Sequence, residues 1–220
     1  MACGQSGGRR GLLLLIVVPV SLWLAACGGS TLGDPASCRT YASAYTHQTA
    51  QGIPLNVTCT HAEDGGGFDR TCTGDLPTVE HWASRADFID EAAAVGIVRL
   101  ATFTNSQFEI TTTYEYDSQR RLQHLVSSPD GVDETIDAWD ELGRPLHRLT
   151  HAGTCPGADI TFSYGDRTIT SDVPAGNPCA WHTVETFDGY GSPTMFEHSL
   201  GTGDVYVDIY MTMDRTTVCR

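Results

Sequence analysis

Eight histidines and 27 acidic residues give this chain ample material for acid–base or metal chemistry, if their spacing concentrates it anywhere. His147 and His151 stand four apart, the spacing of a metal-ligand pair on a helix. Their context reads as a strand, where four residues span about 13 Å, too far for one zinc ion. Two histidines on one sheet face is the reading that fits. Asp64-Gly65-Gly66-Gly67-Phe68-Asp69 is close to a calcium-binding glycine–aspartate turn, but it is a residue short of the nonapeptide unit and occurs once, so a plain mobile loop is expected. His81, Asp87, Asp90 and Glu91 could be assembled into an acid–base set, yet a solvated helix face explains the carboxylates. The chain holds no Gly-x-Ser-x-Gly elbow, phosphate loop, dinucleotide fingerprint or His-Glu-x-x-His. No catalytic residue, metal or cofactor is therefore assigned. A periplasmic or surface hydrolase using His and Asp side chains stands as the alternative to a binding or structural protein.

Thiol chemistry is the stronger signal, and it begins near the N-terminus. Arg9 and Arg10 precede an apolar run from Leu12 to Leu24, which closes on Leu24-Ala25-Ala26-Cys27. The run is shorter than the ~20 residues a spanning helix needs and is broken by Pro19 and Ser21, so it reads as a secretory signal. The four residues resemble the lipobox of bacterial lipoproteins. That resemblance implies a signal peptide over 1–26, acylation of Cys27, and a membrane held through lipid chains, each buried methylene contributing ~0.8 kcal/mol. It also implies the outer membrane, because Gly28 stands where lipoproteins kept at the inner membrane commonly carry aspartate.

Removing residues 1–26 from 220 leaves 194, enough for one ordinary domain with a hydrophobic core. Eleven arginines then face 27 acidic residues, a net charge of −16, which repels phosphate backbones and excludes a nucleic-acid partner. Cys3 leaves with the signal, so Cys38, Cys59, Cys72, Cys155, Cys179 and Cys219 remain, an even set that an exported chain uses as three disulfides. Spacing alone does not fix the connectivity. Cys59 and Cys72 flank a turn-like glycine run, and Cys155 and Cys179 flank a hairpin signal at Gly165-Asp166, which would leave Cys38 to tie the domain's start to Cys219. No Cys-x-x-Cys points to zinc.

These residues need elements to position them. Residues 27–37 are rich in Gly and Ser with Pro and Asp and little to bury, which suits a flexible tether, and a single disulfide-bonded domain is expected over 38–220. Pro54 to His61 and Phe68 to Thr73 read as strands. Ser84 can cap a helix over about 84–95, with Phe88, Ile89, Ala92 and Val95 on one face and Gly96 closing it. Beyond Gly96 the period switches to two, as in Ile110, Thr112, Tyr114, Tyr116 and in Ile160, Phe162, Tyr164. Turn signals at Asp130-Gly131, Leu142-Gly143, Gly165-Asp166, Asp188-Gly189 and Gly203-Asp204 separate the runs. The fold predicted is mainly β, an antiparallel meander with the one helix packed on one face.

An aromatic–aspartate pair recurs within that meander. Tyr116-Asp117-Ser118-Gln119-Arg120-Arg121-Leu122 aligns with Trp139-Asp140-Glu141-Leu142-Gly143-Arg144-Pro145 and with Phe187-Asp188-Gly189-Tyr190-Gly191-Ser192-Pro193. Ser163-Tyr164-Gly165-Asp166-Arg167 is a shortened copy, and the period is 23 to 25 residues. In each unit the aromatic ends a strand on a packed face, Asp opens a turn by accepting from amides ahead of it, and Gly supplies a positive φ. The pattern, over roughly 111–200, resembles the tyrosine–aspartate (YD, or Rhs-type) repeat, with two copies departing from it in the aromatic. The resemblance implies a small curved sheet, too short an array to enclose a cargo, and brings no catalytic residue. The repeat aromatics Tyr116, Trp139, Tyr164 and Phe187, with Tyr114, Trp181 and Tyr190 nearby, are the candidate binding residues, for an envelope protein or a glycan.

Overall fold

The computed structural model describes residues 38–220, so Cys27, the cleavage site before it and the 27–37 tether lie outside the described residues. Among the described residues, fourteen strands follow one another. They are β1 (Cys38–Gln48), β2 (Pro54–Asp64), β3 (Gly67–Gly74), β4 (Thr78–Trp82), β5 (Leu100–Asn105), β6 (Ile110–Tyr116) and β7 (Leu122–Ser128), then β8 (Asp133–Trp139), β9 (Pro145–Ala152), β10 (Asp159–Tyr164), β11 (Thr168–Val173), β12 (Trp181–Phe187), β13 (Pro193–Leu200) and β14 (Val205–Cys219). Each pairs antiparallel with its chain neighbours, and β14 pairs with β1 from Cys38↔Cys219 to Gln48↔Ile209, closing a barrel. The meander predicted from the alternating runs is therefore present, and the small curved sheet is corrected to a closed one. The N-terminal third supplies five further strands, and closure satisfies both edges that a short array would leave bare.

Period two sets what faces the interior. Arg70 and Glu80 pair across β3 and β4, Thr112 with Ser127 across β6 and β7, and Ile169 with Glu185 across β11 and β12, all lumen-side. The Asp64–Asp69 stretch is not a loop: Asp64 pairs with Gly67, and Gly65 and Gly66, both at positive φ, form a two-residue hairpin turn between β2 and β3. The three disulfides are Cys38–Cys219, Cys59–Cys72 and Cys155–Cys179, the pairing the local spacing favours.

The helix is shorter than predicted and sits elsewhere. Helix α1 spans Arg85–Asp90 and a single 3-10 turn covers Glu91–Ala93, after which Ala94 is extended and Gly96 takes φ +95°. Ser84 caps it, its Oγ accepting from the Asp87 amide at 3.1 Å. Helical winding stops early because Val95 is drawn off to pack with Ile169 and Phe187. The 83–99 connection does not lie on an outer sheet face. It crosses the end of the barrel where β1 begins and β14 ends: Phe88 stacks on Phe68 at 4.4 Å and meets Trp82 and Tyr41 edge-on, all four rings buried. Burying a ring such as Phe88 contributes ~1.5–3 kcal/mol.

Glu91 overturns the solvated-face expectation. It and Arg39 are fully buried, 3.0 Å apart, and Arg39 also donates to the Phe88 carbonyl at 2.7 Å while its guanidinium lies 4.1 Å over the Phe88 ring. Burial pushes the Glu91 carboxyl upward, and the Arg39 charge opposes that shift. Asp87 and Asp90 do stay near the surface, where both reach Arg120.

Candidate functional site

The repeated turns have one geometry. Asp117 Oδ1 accepts from the amides of Gln119 and Arg121, Asp140 Oδ1 from those of Leu142 and Arg144, and Asp188 Oδ1 from those of Tyr190 and Ser192, all at 2.8–2.9 Å. The residue three beyond each Asp is left-handed: Arg120 at φ +61°, Gly143 at +78° and Gly191 at +74°. Arg121 and Arg144 also reach back to their own aspartates through Nε, at 2.7 and 2.6 Å. The third unit has Ser192 in the arginine's place, and Arg215 of β14 supplies the missing cation to Asp188. The shortened copy departs most: Gly165 closes on Thr168 and the Asp166 side chain is fully exposed.

The candidate aromatics are consumed by this scheme. Tyr116 donates to the Leu100 carbonyl, Trp139 Nε1 to Leu122 and Tyr164 to Pro145, at 2.6, 2.8 and 2.6 Å. Each accepting carbonyl follows an arginine, and Arg121 stacks on Trp139 at 4.3 Å as Arg144 does on Tyr164 at 4.1 Å. Phe187 has no polar handle and is buried against Val95 and Ile169. These rings lock one unit to the next rather than presenting a shared surface, and of the seven candidates only Tyr190 is well exposed. Arg99-Leu100 takes the place of an arginine–leucine unit end ahead of Tyr116, a partial copy hidden because no aspartate marks it.

The histidines form a different pattern, on the outer face. His81 pairs with Asp69, His182 with Asp172, His124 lies between Glu115 and Asp133, and His147 between Asp137 and Asp159. The Asp133 hydrogen bond raises the His124 pKa, and the Asp137 and Asp159 bonds raise that of His147. His151 bonds Thr135 instead, so it shares the sheet face with His147 but none of its partners. Among the described residues no group of three His, Cys, Asp or Glu side chains is arranged to hold a metal. His81 pairs on the outer face while Glu91 is buried against Arg39, so the two form no acid–base set.

A belt of ionisable groups on β3 to β12 is incompatible with a barrel that spans lipid, whose outer band must be apolar on every strand. The interior is also packed. Its apolar part surrounds Phe68, Trp82, Phe88, Leu100, Tyr114 and Leu125, and its polar part holds the pairs Arg70–Glu80 at 2.7 Å and Arg148–Glu134 at 3.1 Å. Glu185 faces the same interior, and burial raises its pKa to about 7, with Arg148 opposing.

The packing leaves one small gap. A recess of about 20 Å³, room for a water or two, lies on the lumen side of β1, β13 and β14, lined by Tyr41, Tyr45, Arg70, Ser192, Tyr210 and Thr212. Tyr41 is oriented by His61 Nδ1 at 2.8 Å, and His47 stacks on Tyr210 at 4.4 Å while bonding Asp208 at 2.9 Å. Arg70 Nε and Glu80 Oε2 have no hydrogen-bond partner among the described residues, although the two side chains pair through their other atoms. The recess thus offers phenol faces and hydroxyls around a cation that is already neutralised. Sequence reasoning misses it because Tyr41 and Tyr210 meet only when β1 and β14 close the barrel. Scans against family models and against the curated proteins find nothing that matches the chain.

Proposed function

We propose that this chain is a non-enzymatic, lipid-anchored envelope protein, held through Cys27 in the outer membrane, whose barrel is a rigid module that binds another envelope component, a protein or a glycan, on its outer surface. The lipobox-like Leu24-Ala25-Ala26-Cys27 supports the anchor, and the threefold aspartate turn supports construction from YD-type units. Tyr190 carries the binding reading: its ring is half exposed on the Asp188 turn with the Arg215 guanidinium 4.6 Å from its centre, and aromatic surface beside a cation suits a sugar ring or a protein partner. The lumen recess is too small to take part.

Equilibrium titration of the mature protein with peptidoglycan and lipopolysaccharide-core fragments tests this. Tyr190→Ala should weaken binding roughly tenfold, the loss of one aromatic contact at ~1.4 kcal/mol. Saturable binding that survives this variant unchanged would contradict the site, and unchanged membrane fractionation of Cys27→Ser would contradict the anchor.

A further inference from the structure

The outer surface of the barrel is divided. From β3 to β11 it carries Asp69, Glu115, Asp133, Asp137, Asp159 and Asp172, each beside a histidine. On β14 the outward positions are Val205, Val207, Ile209, Met211 and Met213, between 36% and 67% exposed. Alternation makes this a single stripe about 26 Å long at ~3.3 Å per residue. Its neighbours in register are uncharged on the β1 side, where Met211 faces Thr46 and Ile209 faces Gln48, and Thr46 in turn faces Asn56 of β2. On the β13 side they are Met195, Glu197 and Ser199, and Asp214 bounds the stripe at one end. A protein of net charge −16 after cleavage keeps one face of its barrel apolar and nearly free of charge.

We infer that this β14 face docks on the lipid surface to which Cys27 is anchored, an inference that rests on the anchoring reading. Two observations select the bilayer as occupant. The chain enters the barrel beside this strand, since Cys38 begins β1 and pairs with Cys219 of β14, about 20 Å along the strand from Met213. The stretch from Cys27 to Cys38 is short, reaching at most about 40 Å when fully extended, so the lipidated cysteine cannot carry the barrel far from the headgroups, and β14 lies within that reach. Anionic lipid repels the carboxylate-bearing surface of β3 to β11 more than this face, whose β13 flank carries the single carboxylate Glu197. Lying on β14, it would place Val207, Ile209 and Met211 at the headgroup–acyl boundary, with the histidine belt turned to water.

Met211 and Met213 are native probes of this contact, because peroxide converts solvent-reached methionine to its sulfoxide. Acylated full-length protein in phosphatidylethanolamine–phosphatidylglycerol vesicles is compared with the Cys27→Ser protein free in solution, reading each methionine by peptide mass. Docking should slow oxidation of Met213 roughly tenfold, as a side chain 67% exposed becomes covered. Ile209→Asp should restore the fast rate while the protein still floats with the vesicles. Protein that floats but oxidises Met213 at the solution rate overturns docking and leaves the anchor intact. Cys27 found without lipid overturns both readings. Protection that appears without vesicles and grows with protein concentration identifies a second copy of the chain as the occupant and overturns the bilayer.

Discussion

Replacing Asp140 with Ala should cost about 2–4 kcal/mol of folding stability. The carboxylate is mostly buried and accepts from two backbone amides, both at 2.9 Å, and from Arg144 Nε at 2.6 Å. Hydrogen bonds to a charged group are each worth ~1.5–3 kcal/mol when one partner is removed, and they are not additive within one turn. The loss also frees Arg144, which stacks on Tyr164 and donates to the Val95 carbonyl at 3.2 Å, so part of the cost spreads to the 83–99 connection. Asp166→Ala is the matched control: it has the same place in a sequence copy of the unit, but its side chain is fully exposed, and a surface change of this kind should leave the unfolding midpoint where it is. Urea unfolding of the oxidised protein, followed by tryptophan fluorescence, reads both variants. Asp140→Asn, which keeps an acceptor oxygen and loses the ion pair, should fall between them. Equal midpoints for Asp140→Ala and Asp166→Ala would refute the turn as a structural unit.

Stability should fall as pH rises from 5 to 8. The His124 and His147 pKa values are raised in the folded state, so their contribution is complete below the ordinary histidine value and is lost as pH climbs through the folded one. Glu185, raised by burial to about 7, acts with the same sign, because ionising it in the interior is costly. His198, lowered by burial, opposes them. Thermal melts across that range should flatten in Glu185→Gln and in His147→Gln, and a wild-type melting temperature that rises toward pH 8 would contradict the assignment. Removing Cys38–Cys219 as the double serine variant should destabilise the barrel by up to about 5 kcal/mol on the chain-entropy model, given a separation of 181 residues. Removing Cys59–Cys72, with a separation of 13, should cost less, and the reverse order by denaturant midpoint would show that closure at β1–β14 does not depend on the bond.

Period-two runs such as Ile110–Tyr116 and Asp159–Tyr164 are legible because one face of each strand is uniformly packed, and the Ser84 cap is legible because its partner is three residues away. Strands β1 and β14 hide for two reasons. Register shifts around Ala42, Ala44 and Tyr45 break the alternation in β1, and the apolar residues of β14 point outward, inverting the usual pattern. Without those two strands the closed barrel is invisible, and so is the recess between them. Glu91 reads as solvated because nothing local marks its burial: its partner Arg39 stands 52 residues earlier. Phe187 and Tyr164 are legible as important positions, but their role in locking one unit against the next emerges only in the bond to Pro145 and the packing on Val95.

The most direct test of a membrane-held binding module is an in-cell crosslink and pull-down of the tagged protein from its own envelope, run beside Tyr190→Ala and analysed for proteins and glycans. The account predicts a partner retained by wild type and depleted from the variant, with both proteins equally abundant in the membrane. A partner recovered equally from both, or from neither, would contradict it.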